Sequence, residues 1–145
     1  MLKTKNTRIL VVDDDKEFLE EVKEMLTLGG YEVRGAYDGD SVLEQVLTFR
    51  PAIIFLDLKM SPKSGFQIAD ELINTFGLKD LRIIAMTGFF TAREHALFMR
   101  ICGVKKCILK PIHPLDLISN IEFEIETKEQ ETVEVSSEVA LNSSY

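Results

Sequence analysis

Five short runs of β-branched or apolar residues alternate with longer segments of helical period. This alternation constrains the fold more than any other feature of the chain. The runs are RILVV (8–12), YEVRGA (31–36), AIIFL (52–56), LRIIAM (81–86) and KCIL (106–109). Four amphipathic stripes lie between and after them: Phe18, Leu19, Val22, Met25 and Leu26; Val42, Leu43, Val46 and Leu47; Phe66, Ala69, Leu72, Ile73 and Phe76; Leu117, Ile118, Ile121 and Ile125. A further helical stretch, 91–102, separates the last two runs. Strict βα alternation predicts parallel strands covered on both faces, and the near-continuous apolar character of the first, third and fourth runs agrees with two-sided burial. The expected class is therefore α/β, a doubly wound five-stranded parallel sheet with five helices.

Punctuation residues stand where such elements end. Gly29-Gly30 closes the first helix, Ser64-Gly65 opens the third, Gly103 ends the fourth and Pro114 sits at the first turn of the fifth. In open α/β sheets ligands bind outside the carboxyl ends of the strands, at the switch point. Asp13 and Asp14 follow the first run and Asp57 follows the third, so two loops deliver three carboxylates to one crevice. Such a group repels itself unless a cation occupies it, and Mg²⁺ suits a site of few hard oxygen ligands. Thr87 after the fourth run and Lys110 after the fifth add a hydroxyl and an ammonium suited to phosphoryl oxygens. Pro111 restricts Lys110 to extended backbone. Taken singly, Asp14 or Asp15 reads as an N-cap for a helix starting near Lys16, Thr87 as a turn residue and Lys110 as a solvated charge. Their conjunction points to phosphoryl chemistry.

The residues ILVVDDD (9–15), LDLKMSPKSG (56–65), MTG (86–88), Gly103 and LKPI (109–112) resemble, in order and spacing, the receiver domains of two-component response regulators. The resemblance covers residues 8 to about 125. It implies a flavodoxin-like fold with strand order 2-1-3-4-5. It also implies that Asp57 is the phosphoacceptor, that Asp13, Asp14, Asp57 and the backbone carbonyl of Lys59 hold Mg²⁺, and that Lys110 and Thr87 bind the phosphoryl group. The donor would be a sensor histidine kinase, or a small molecule such as acetyl phosphate. The chain would be a switch rather than an enzyme with a separate substrate, acting on a downstream protein through helix 4, strand 5 and helix 5. Three departures stand out. Ser61 precedes Pro62 where the family has Pro directly after Met; Cys107 occupies the place of a switch aromatic; and Lys105-Lys106 replaces a pair that is often acidic. Phe89, two residues after Thr87, cannot orient a hydrolytic water, so slow loss of the phosphoryl group is expected.

Charge and length narrow the rest. The net charge is −7, of which residues 126–145, with five Glu and one Lys, supply −4. No basic stripe with interleaved aromatics exists to meet a phosphate backbone, so direct nucleic-acid binding is not expected. No apolar stretch approaches the ~20 residues of a membrane span and no leader pattern opens the chain, so membrane insertion is not expected and the cytoplasm is the expected location. Cys102 and Cys107 read as reduced, packed thiols, and His95 and His113 as surface groups. Residues 1–125 are expected to form the receiver domain and 126–145 an acidic, disordered tail too short for an output domain, which makes a stand-alone regulator. Ala96, Leu97, Phe98, Met99, Ile101 and Cys102 surround the fourth helix, so that helix is either deeply packed or a partner face, with a homodimer among the arrangements open to it. Two rival readings are a receiver-fold interaction module that no longer uses phosphorylation, suggested by Ser61 and Cys107, and a haloacid-dehalogenase-like phosphatase. The second needs DxDx(T/V) after the first strand, whereas Asp13-Asp14-Asp15 runs into Lys16-Glu17.

Overall fold

The computed structural model describes residues 6–88, 92–94, 96, 100, 106–113 and 115–127. Every apolar run becomes a strand: β1 (Arg8–Val12), β2 (Glu32–Ala36), β3 (Ile53–Asp57), β4 (Arg82–Thr87) and β5 (Cys107–Leu109). β3 and β4 begin and end one residue later than their runs, because backbone pairing is indifferent to side-chain polarity. Leu58 N–H still donates to Met86 O (3.0 Å) and Lys110 N–H to Thr87 O (2.8 Å). Asp57 and Thr87 are therefore the last residues of strands, held by the ladder rather than by a loop. All pairings are parallel and the order is β2-β1-β3-β4-β5.

The helices are α1 (Lys16–Leu28), α2 (Val42–Phe49), α3 (Gly65–Asp70), α4, described at residues 92–94, 96 and 100, and α5, residues 115–127. Strand periodicity divides the core between them. Ile9, Val11, Ile53, Phe55, Ile84 and Met86 face α1 and α5, packing with Leu19, Leu26, Leu117 and Ile121. Their sequence neighbours Leu10, Val12, Ile54, Leu56, Ile83 and Ala85 face the other way, onto α2 and α3. A large side chain buried this completely, such as Phe55 at the sheet centre, contributes about 1.5–3 kcal/mol by removal from water. In β2, Gly35 faces α1 so closely that a Cβ would meet Leu19 Cδ2 at 2.8 Å. The glycine is what lets the helix seat.

Among the described residues two members of the predicted stripes are exposed. Leu47 is 53% exposed, and Phe49 takes its place, because α2 buries the arc Val42, Val46 and Phe49. Phe76 is 48% exposed for a different reason. α3 runs on into a π-helical turn, Glu71–Thr75, in which Phe76 N–H donates to Glu71 O at 2.9 Å. The wider turn shifts the angular phase and carries Phe76 off the stripe. Ile68, before that turn and four residues from Leu72, is buried on the ordinary α-helical face.

The caps follow the sequence. Asp15 accepts the Phe18 N–H at 3.2 Å, and Ser64 forms a reciprocal capping box with Gln67. α5 extends through Thr127. Expectations for Phe89, Phe90, His95, Leu97, Phe98, Met99, Ile101, Cys102, Gly103, Lys105, Pro114 and the tail from 128 onward lie outside the described residues; Ala96 is exposed and so is His113. Among the described residues no helix is long and apolar enough to cross a membrane.

Candidate functional site

The carboxyl ends of β1, β3, β4 and β5 meet above the sheet. β1 gives way directly to Asp13, whose N–H donates to Ala36 O at 3.1 Å, and this bond anchors the turn to β2. Asp13 and Thr87 are fully buried, Asp57 nearly so, and Asp14 is exposed. Asp13, Asp14 and Asp57 each present a carboxylate oxygen within 4.8 Å of the others. Lys110, from the end of β5, reaches across: its Nζ donates to Asp13 Oδ2 at 2.6 Å and lies 3.7 Å from Asp57 Oδ2. The second distance is an ion pair rather than a hydrogen bond.

Each carboxylate is also tied to its own turn. Asp13 Oδ1 accepts the Asp15 N–H at 2.9 Å, and Asp57 Oδ1 accepts the Lys59 N–H at 3.1 Å. These local bonds leave Oδ2 of both residues toward Lys110. Burial pushes the Asp57 carboxyl above its ordinary value, the Lys59 amide pulls it back, Asp13 pushes it up again, Lys110 lowers it and Asp14 raises it. Desolvation is thus the leading effect, and added positive charge at this spot would favour the ionised form. The donors are hard oxygens from three carboxylates in a partly open crevice, with the Lys59 carbonyl on the same loop. That set fits Mg²⁺, which accepts few protein ligands and retains waters.

The β3–α3 loop is held in place by backbone. Gly65 N–H donates to Leu58 O at 3.2 Å. A Cβ at Gly65 would stand 2.4 Å from Asp57 O and 2.7 Å from Leu58 Cα, so only glycine lets α3 start this close to the acceptor strand. The Ser61 departure leaves this spacing intact; Met60 is buried and the Ser61–Pro62 bond, like Lys110–Pro111, is cis. Cys107, where the family has an aromatic, is half-buried against the α2 and α3 side of the core, and burial pushes its thiol up. Lys106 does not stand as a bare charge: it lies 4.0 Å from Glu124 and 4.0 Å above the Phe123 ring.

All five predicted side chains, Asp13, Asp14, Asp57, Thr87 and Lys110, therefore fall at one end of the sheet. Two contacts at the same place escaped the sequence. Lys59 Nζ forms an ion pair with Glu94 of α4, joining the loop after Asp57 to the fourth helix. The Phe18 ring lies under the Lys110 ammonium, 4.8 Å from centroid to Nζ. Phe18 reads in the sequence as one more apolar residue of the α1 stripe, and no periodicity distinguishes it.

Comparison with known proteins agrees with this geometry. Residues 9–122 match the response regulator receiver domain family. The chain is 29% identical over 136 residues to Response regulator MprA of Mycobacterium ulcerans, covering 94% of this chain and 57% of that protein. It is 36% identical over 80 residues to Response regulator MprA of Mycobacterium avium, covering 55% of this chain and 34% of that one. The chain thus spans between about a third and somewhat over half of the length of these relatives. Among solved structures, the CheY-like response regulator receiver domain protein of Methanospirillum hungatei superposes with a TM-score of 0.78 at 26% identity, covering 88% of this chain and 99% of the other. With the family model matching residues 9–122, most of its length, the chain belongs to the response regulator receiver domain family.

Proposed function

We propose that Asp57 accepts a phosphoryl group from the phosphohistidine of a sensor histidine kinase, with Mg²⁺ held by Asp13, Asp14, Asp57 and the backbone carbonyl of Lys59. The observation that carries this reading is a nearly buried carboxylate whose Oδ2 faces an ammonium at 3.7 Å while two further carboxylates stand within 4.8 Å. A carboxylate oxygen of Asp57 forms the new O–P bond as the N–P bond of the donor breaks and its electron pair returns to the imidazole. With acetyl phosphate the bond that breaks is O–P, and acetate leaves. Bound Mg²⁺ supplies charge neutralisation at the phosphoryl oxygens. The chain's own part is positioning and electrostatics: the Lys59 amide fixes the Asp57 rotamer, Lys110 meets an equatorial oxygen and Thr87 donates its hydroxyl to another.

Drawing Thr87 toward the phosphoryl group displaces the β4–α4 connection and changes the surface formed by α4, β5 and α5. A downstream protein, or a second copy of the chain, reads that change. The function is that of a response regulator receiver acting in the cytoplasm, with residues 1–125 as the receiver domain and 126–145 as an acidic segment, without direct nucleic-acid contact and without a separate substrate to turn over. The test is intact mass after incubation with acetyl phosphate, with and without Mg²⁺, on the wild type and Asp57→Asn. A Mg²⁺-dependent gain of one phosphoryl group in the wild type alone supports the reading. No gain, either here or with a promiscuous sensor kinase, would leave the phosphorylation-independent module in its place.

A further inference from the structure

We propose that Phe18 is a positioning residue for Lys110, setting where its ammonium stands when phosphoryl is taken up. The inference rests on the reading of Asp57 as the phosphoacceptor. Lys110 emerges from a three-residue edge strand on a four-carbon stem, so β5 by itself fixes its head loosely. Two contacts define the head. One is the hydrogen bond to Asp13 Oδ2 at 2.6 Å; the other is the Phe18 ring at 4.8 Å, a distance at which the negative face of an aromatic attracts a cation. Ring and carboxylate together hold Nζ 3.7 Å from Asp57 Oδ2, near enough to meet an oxygen carried on Asp57 and too far to close a hydrogen bond with the carboxylate itself. A ring also covers one side of the ammonium without taking an N–H, leaving donors for a phosphoryl oxygen. A second carboxylate in that place would consume one.

The ring is itself fixed. Phe18 packs in part against the α1 and α5 side of the core, and its N–H is held by the Asp15 cap at 3.2 Å, so the first turn of α1 carries it rigidly. An aliphatic residue at position 18 would fill the same space against the core but offer no attractive face.

The experiment measures the initial rate of Mg²⁺-dependent phosphoryl uptake from acetyl phosphate by intact mass, in wild type, Phe18→Leu, Phe18→Met and Phe18→Tyr, each with its urea midpoint. Leu and Met are expected to slow uptake by about threefold to thirtyfold, the range of a partly desolvated cation–π contact, and Tyr to restore the wild-type rate. The proposal is overturned if Leu and Met match the wild type, or if Tyr is as slow as Leu, which would mean that only shape matters. Met serves if Leu disturbs the fold. Uptake by wild type but not by Asp57→Asn, with all Phe18 variants equally fast, removes Phe18 alone; no uptake by the wild type from either acetyl phosphate or a promiscuous sensor kinase removes the underlying reading and this proposal with it.

Discussion

Replacing Gly65 by alanine is the sharpest available test of how the acceptor is held. The added Cβ would lie 2.4 Å from Asp57 O, at least 0.6 Å short of the 3.0 Å that real Cβ atoms keep, and 2.7 Å from Leu58 Cα. Both neighbours are backbone, so no flexible side chain can give way. Gly65 does not have a positive φ, so the cost is steric rather than conformational. Overpacking against rigid backbone costs about 3 kcal/mol, the upper end of the usual range. For a domain of this size that lowers the melting temperature by roughly 10 °C. Because the atoms that must move belong to Asp57 and Leu58, the relief displaces the acceptor itself, and misplacement on the ångström scale costs on the order of 100-fold in rate. Two controls separate the effects. Gly77→Ala adds a side chain in open space at φ +67° and should cost about 1 kcal/mol with uptake unaffected; Gly88→Ala meets nothing within 4 Å and should stay within about 0.5 kcal/mol. Calorimetric melting and phosphoryl-uptake rates read all three. A Gly65→Ala protein that melts with the wild type and takes up phosphoryl at the same rate would refute the argument that this glycine sets the position of Asp57.

Further outcomes follow from the charges. The Asp57 carboxyl titrates above its unfolded value of 3.8, so its stabilising contribution is present below that pH and is lost as pH rises through the folded value. In metal-free buffer at pH 7, Asp57→Asn should therefore raise the urea midpoint, with the advantage shrinking toward pH 4; a lowered midpoint would contradict the desolvation argument. Lys110→Met removes the 2.6 Å partner of the fully buried Asp13 carboxylate and should cost about 1.5–3 kcal/mol in urea titrations. An unchanged midpoint would mean that solvent replaces the ammonium. Because burial raises the Cys107 thiol, its reaction with a disulfide reagent at pH 7.5, in a Cys102→Ser background, should be at least about fivefold slower folded than in urea; equal rates would place the thiol in solvent.

What could be read from the chain was what is local or repeats at a fixed period. Strand runs, caps at Asp15 and Ser64 and the division of alternate strand residues between two helical layers depend on neighbours a few positions away. The site residues were legible for a topological reason: parallel strands bring their carboxyl ends together, so Asp13, Asp57, Thr87 and Lys110 need only stand at strand ends to meet. Tertiary structure decided what depends on phase and reach. The π-helical turn removed Phe76 from a stripe that its spacing supports, and the arc on which α2 packs chose Phe49 over Leu47. It also decided which long side chains meet. Lys110 finds Asp13 from 97 positions away and rests on Phe18, and Lys59 finds Glu94 across the mouth of the site. Such contacts arise only when separate elements are packed at fixed distances and angles, and no sequence period records them.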